Sequence, residues 1–184
     1  ELAEVVAKIA QAQSPVIIAG GGIHYSEATE ELRSFAEKRG IPVVETQAGK
    51  SALPWDHPLN FGPVGVTGSS SANQLFDTAD LVIGMGTRFQ DFTTGSWSLF
   101  GDLPLVSINV SSFDANKRNA CSLVSDAKVA LEELEAALPQ ISFAWPDGRL
   151  KEEWFDAVDP LTARPQDESG LPTDMQVIGA VQRT

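Results

Sequence analysis

Pro15-Val16-Ile17-Ile18-Ala19-Gly20-Gly21-Gly22 decides the fold. Five apolar or ring residues run without alternation and stop on three glycines. A strand with one wet face alternates polar and apolar side chains, so an unbroken run of this length reads as a strand covered on both faces. That situation arises in a parallel sheet between helical layers.

The flanks supply those helices. Upstream, Leu2, Val5, Val6, Ile9 and Ala10 recur at helical spacing, so a helix is expected over 2–13. Downstream, Ser26 is expected to cap a helix showing Ala28, Leu32, Phe35 and Ala36 on one face and stopping at Gly40. Ile41 to Thr46 reads as the next strand, with Pro42 tolerable near its start. The pattern then repeats. Ser69 to Ser71 open a helix bearing Ala72, Leu75, Phe76 and Ala79, and Leu81 to Gly86 is a second buried strand closing on glycine. Leu105 to Val110 is a further strand and Ser122 to Ser125 a short last one, followed by a helix capped by Asp126 and ended by Pro139. The reading is an α/β fold: an open parallel sheet with helices on both faces, joined by right-handed crossovers.

This compact domain is expected to span residues 1–138. Five prolines among Asp, Glu, Ser and Gly make 139–172 a linker by composition. Thr173 and Gln176 form a capping box, so 173–184 reads as the truncated start of a following domain. Because residue 1 is Glu and the last helix is cut at Thr184, the chain is expected to be a piece of a longer polypeptide.

Thirteen basic residues against 25 acidic ones give a net charge of -12, with no local basic cluster, which argues against a nucleic-acid or anionic-membrane partner. One cysteine, Cys121, closes no intrachain disulfide, and no His/Cys spacing assembles a metal site. The apolar runs are far shorter than the roughly 20 residues of a membrane span, so a cytoplasmic location is expected.

In an open parallel sheet the ligand crevice lies beyond the carboxyl ends of the strands. Gly20, Gly21 and Gly22 sit at one such end, where missing Cβ atoms would let a diphosphate approach the backbone; a tight turn needing positive φ is the alternative. Tyr25 stands where a G-x-G-x-x-G fingerprint needs its last glycine. Gly86, Thr87 and Arg88 mark a second end, and the Arg88 fork suits a phosphate or carboxylate unless it pairs with Asp91. His24 and His57 read as turn residues and Glu45 as a capping or paired carboxylate. Lys50 follows Gly49 but lacks the earlier glycine of a P-loop, since Val44 is there. Trp55, Phe92, Trp97 and Phe100 lie in loops and suggest partner domains or subunits.

Pro15 to Gly22, Glu45 to Pro58 and Ala79 to Gly95 together resemble the central domain of thiamine diphosphate-dependent enzymes of the acetolactate synthase type. Within that superfamily, Glu45 to Pro58 and Asp91 to Trp97 are most similar to the branch of trihydroxycyclohexanedione hydrolases of myo-inositol catabolism; an acetolactate synthase-like enzyme and a nucleotide-binding regulatory module are the alternatives. The resemblance implies a three-domain subunit in a homodimer or homotetramer. The thiamine diphosphate and Mg²⁺ would be bound outside this chain, which carries no catalytic or metal residue and is inactive alone. The parent enzyme would open the ring of the dione by carbon–carbon cleavage and release a deoxyglucuronate. Some relatives hold FAD or ADP in the central crevice, at positions matching Gly20 to Gly22 and Gly86 to Arg88. Here Ile108-Asn109-Val110-Ser111 lacks the acidic pair that meets adenosine, and Ser51 replaces a usual glycine, so a retained nucleotide is not implied.

Overall fold

The computed structural model describes residues 1–144, 146–164 and 170–183. It divides into two compact units, Glu1–Asp147 and Gly148–Thr184.

In the first unit α1 (Leu2–Gln11) precedes β1 (Pro15–Ala19), and the short α2 (Gly22–Tyr25) and α3 (Thr29–Arg39) lead to β2 (Val43–Glu45). β3 (Asn60–Pro63), α4 (Ser70–Gln74) and β4 (Leu81–Met85) follow. Then come α5 (Asp91–Thr94), β5 (Leu105–Asn109), α6 (Ser112–Ala115), β6 (Cys121–Val124) and α7 (Ala127–Ala137). The six strands are ordered β3-β2-β1-β4-β5-β6. Every neighbouring pair is parallel, with Ile17 beside both Val43 and Ile83. The strand order reverses direction between β1 and β4, which makes their carboxyl ends the switch point of a doubly wound sheet.

Every residue of β1, β4 and β5 is buried, as the uninterrupted apolar runs require. On one face Val5 and Ile9 of α1, Leu32 and Phe35 of α3, and Leu131 and Leu134 of α7 pack in one cluster with Ile17, Ile83 and Val106. Gly84 faces the other side, where a Cβ would strike the Phe89 ring. There Phe89, Trp97, Phe100 and Phe76 pack in tilted and edge-to-face pairs, with ring centroids 4.7 to 6.3 Å apart. Phe100 and Trp97 are therefore taken up within the domain itself, whereas Phe92 and Trp55 stay exposed.

Several local expectations need correction. Ser26 does not cap α3: that helix starts at Thr29 behind Ala28 without a side-chain cap, and Ser26 ends α2. Its hydroxyl instead donates to Asp126 at 2.6 Å, a contact between residues 100 apart. The second strand contracts from six residues to three, because Pro42 has no amide to donate and Thr46 turns to cap the 3-10 turn Gln47–Gly49. β3 has no expectation behind it, since Asn60-Phe61-Gly62-Pro63 carries one large apolar residue and two strand breakers. The caps at Ser69 and Asp126 and the left-handed stop at Gly40 are found as read.

Past Pro139 the chain is tied back across α3. The Arg39 guanidinium, buried, donates to the carbonyls of Pro139 and Ile141 and pairs with Glu135 at 3.0 Å, while the Phe143 amide donates to the Arg39 carbonyl.

In the second unit, α8 (Arg149–Thr162) runs through the stretch whose prolines read as linker. Leu150, Trp154, Val158 and Leu161 fall at helical spacing, and Pro160, which cannot donate to the Asp156 carbonyl, sits in the last turn, two residues before the helix ends at Thr162. α9 (Asp174–Gln182) opens on the expected Thr173–Gln176 capping box. Gly179 lets α9 meet the Thr162 carbonyl, to which Arg183 also donates at 2.9 Å. The linker positions 145 and 165–169 and the final residue 184 lie outside the described residues.

Candidate functional site

A cleft of about 680 Å³ opens at the carboxyl ends of β1 and β4. Gly21, Gly22, Gly86, Thr87 and Arg88 line it, as do Asn109, Asp114 and Asp126 from the far half of the sheet. Gly20 does not. It lies behind the cleft wall, where a Cβ would run into the Gly86 carbonyl.

The glycines serve the contact of two backbones. The Gly20 amide donates to Met85 at 2.9 Å and the Gly22 amide to Gly86 at 3.0 Å. A Cβ on Gly22 would lie 2.5 Å from the Gly86 Cα, and one on Gly86 would lie 2.5 Å from the Gly22 Cα; Gly86 also has φ +63°. Of the three amides expected to cradle a phosphate, only Gly21 lacks an intramolecular acceptor among the described residues. Both readings of the triplet therefore needed a third: close packing of the β1 and β4 loops.

Asn109, at the end of β5, braces the same loop. Its Nδ2 donates to the Thr87 carbonyl at 3.0 Å and its Oδ1 accepts from the Ser111 amide at 2.9 Å. A carboxylate here would have no proton to give Thr87, so the residue that departs from the nucleotide-binding pattern is the one that holds the loop. Thr87 turns its hydroxyl inward to accept from the Phe89 amide, and Phe89 takes a left-handed φ of 48°. Asp126 accepts from the Ser26 hydroxyl and from the amides of Lys128 and Val129 at the start of α7. Those bonds, led by the one from Ser26, hold its carboxyl below the usual carboxylate range. Asp114 pairs with Lys117 at 2.7 Å, and Lys117 also donates to the Arg88 carbonyl.

Arg88 lines the cleft, is exposed, and forms no ion pair among the described residues, so the alternative pairing with Asp91 is not adopted. Arg118 stacks over Trp97 at 4.6 Å. The other candidates hold turns. His24 bonds to the Lys50 carbonyl at 2.9 Å. His57 Nε2 lies 3.0 Å from Glu37, while its Nδ1 accepts from the Leu59 amide. Glu45 is buried and accepts from the Leu53 amide at 3.1 Å. That carboxylate ends β2, where dinucleotide folds present an acid to a ribose, yet it is absent from the cleft wall.

Among the described residues no three His, Cys, Asp or Glu side chains converge to hold a metal ion. Nor is any helix among those residues long and apolar enough to cross a membrane.

The family model described as "Thiamine pyrophosphate enzyme, central domain" matches residues 2–134. Similar curated proteins are 3D-(3,5/4)-trihydroxycyclohexane-1,2-dione hydrolases. The one from Clostridium perfringens is 45% identical over 175 residues, covering 92% of this chain and 27% of that protein. That from Clostridium tetani is 47% identical over 164 residues, 86% of this chain and 26% of the relative. One from Bacillus cereus is 48% identical over 159 residues, 83% and 25% respectively. The chain spans about a quarter of the length of these relatives.

Proposed function

This chain belongs to the family of thiamine pyrophosphate enzyme central domains, and on that premise we propose that it is the middle domain of a hydrolase that opens the ring of trihydroxycyclohexanedione in inositol catabolism. The observation that carries the proposal is identity of 45–48% over 83–92% of the chain to three relatives bearing that hydrolase name. The domain's part is to carry scaffold and contacts. Thiamine diphosphate supplies carbanion chemistry for carbon–carbon cleavage when bound to the parent enzyme, with Mg²⁺ on its diphosphate, at a site made by other domains.

The domain organisation is proposed in the same terms: a central domain over 1–138, a connection over 139–172 containing α8, and the start of the next domain from Thr173. The end of the family match at residue 134 and the capping box at Thr173 support these limits. A cytoplasmic homodimer or homotetramer is the assembly proposed for the parent. Gly20, Gly21, Gly22, Gly86, Thr87 and Arg88 are proposed to shape the crevice. The engaged Gly22 amide and the Asn109 brace leave Gly21 as the one amide of the triplet open to an FAD or ADP diphosphate, which weighs against either nucleotide.

The test is turnover of the cyclic dione by the full-length enzyme with thiamine diphosphate and Mg²⁺, with pyruvate as the competing substrate. Ring opening by the full-length enzyme and none by the 184-residue chain alone is expected. Condensation of pyruvate to acetolactate without ring opening would overturn the proposal and favour the synthase branch.

A further inference from the structure

The two halves of the cleft differ in how their polar groups are used. On the β5 and β6 side they are saturated: Asn109 bonds at both ends, Asp114 holds Lys117, and Asp126 is filled by Ser26 and the start of α7. On the β2 and β4 side, Gln47, Thr67, Arg88, Gln90 and Thr93 line the cleft with side chains that form no hydrogen bond or ion pair among the described residues. Phe92 stands among them, 56% exposed. One wall therefore carries a planar cation, two amides, two hydroxyls and an aromatic face, with no hydrogen-bond or ion-pair partner for the polar side chains among the described residues.

Charge decides which ligand this wall suits. Among the described residues lining the cleft Arg88 is the only cation, and Asp126 and Asp114, the latter paired with Lys117, line it opposite. A diphosphate would bring two or more negative charges toward Asp126 and the Asp114–Lys117 pair with one unpaired guanidinium to balance them, and of the glycine amides that serve diphosphates elsewhere those of Gly22 and Gly86 are engaged, which leaves Gly21. A single carboxylate matches the Arg88 fork in shape and charge. Amides and hydroxyls match a hydroxylated chain or ring, since each both donates and accepts. An exposed aromatic face suits the apolar side of a sugar-like ring.

We infer that this wall is a binding site for a polyhydroxylated monocarboxylate, a sugar acid, and that Arg88 pairs with its carboxylate. The class includes the open-chain acid released by the reaction proposed above, but the inference stands on the cleft alone.

The probe is glucuronate, titrated calorimetrically into the full-length protein, with glucose, inorganic phosphate and ADP as comparators. Saturable glucuronate binding with Kd on the order of 1 mM is expected, with glucose at least tenfold weaker, because a charged hydrogen-bonded pair is worth about tenfold or more. Arg88→Gln should weaken glucuronate by about the same factor, and Gln90→Ala by a smaller one. Arg88 is exposed and unpaired among the described residues, so its substitution should leave the thermal midpoint nearly unchanged. Thr93→Val offers an independent loss of one hydroxyl. Tighter binding of ADP or phosphate than of glucuronate, binding unchanged by all three substitutions, or no binding at about 20 mM would each overturn the inference. None of these outcomes bears on ring opening, so the two proposals fail separately.

Discussion

Gly86→Ala tests whether the β1 and β4 loops are locked by backbone contact. Two costs add. At φ +63° an L side chain pays about 1–2 kcal/mol for the left-handed region. The new Cβ would also lie 2.5 Å from the Gly22 Cα and 2.9 Å from its nitrogen, atoms that cannot rotate away. Overpacking of that kind costs about 1–3 kcal/mol, for a total of about 2–5 kcal/mol. Gly95→Ala is the control. Its φ is +58°, but its Cβ would meet the Ser98 hydroxyl at 2.9 Å and Leu99 at 3.2 Å, both side chains able to shift. Only the first cost, about 1–2 kcal/mol, applies there. Urea unfolding followed by far-UV circular dichroism and tryptophan fluorescence measures both, with an unchanged m-value required for comparison. At this chain length the excess for Gly86→Ala corresponds to a melting point lower by about 2–4 °C per kcal/mol. If Gly86→Ala costs no more than Gly95→Ala, Gly86 supplies only its dihedral angle and the lock is refuted.

Two further substitutions examine the saturated side of the cleft. Asp126→Ala removes the α7 cap and should cost about 1 kcal/mol at neutral pH. The Asp126 carboxyl titrates lower when folded than when unfolded, so its contribution is present above the unfolded value of about 3.9 and is lost as pH falls through the folded one. Urea midpoints measured from pH 5 down to about 2 should therefore fall more steeply for the parent chain than for Asp126→Ala, and parallel slopes would contradict the assignment. Asn109→Asp places a carboxylate oxygen against the Thr87 carbonyl where an amide donated at 3.0 Å. A loss of about 1–3 kcal/mol is expected from that buried clash of acceptors. An unshifted thermal midpoint would show that the brace does not hold the loop.

Strand runs such as Val16 to Ala19 and Leu81 to Met85 were legible because burial on both faces leaves an unmistakable apolar string. Caps at Ser69, Asp126 and Thr173 were legible because the bonds they form span three residues. β3 was not, since Asn60 to Pro63 is held in register by β2 and by Ser69 and Ser71 donating to the Phe61 carbonyl, contacts made after the fold closes. α8 was masked by weighing prolines over the spacing of Leu150, Trp154 and Val158. At the cleft, glycines and Arg88 marked the right strand ends. Sequence could not tell an amide that waits for a phosphate from one already bonded to a neighbouring strand, because Gly20 and Met85 meet only through the sheet. Asp126 was read as a cap, and its arrival in the cleft needed Ser26, 100 residues earlier.

That long-range contact has a kinetic consequence. Ser26 with Asp126, Arg39 with Glu135, and Glu31 with Lys128 all stitch the β1 half of the sheet to the β6 half. Closing loops of 96 to 100 residues is entropically costly, so these stitches form after each half has assembled its own strands. They are expected to form on the downhill side of the folding barrier, so that weakening one should speed unfolding more than it slows folding.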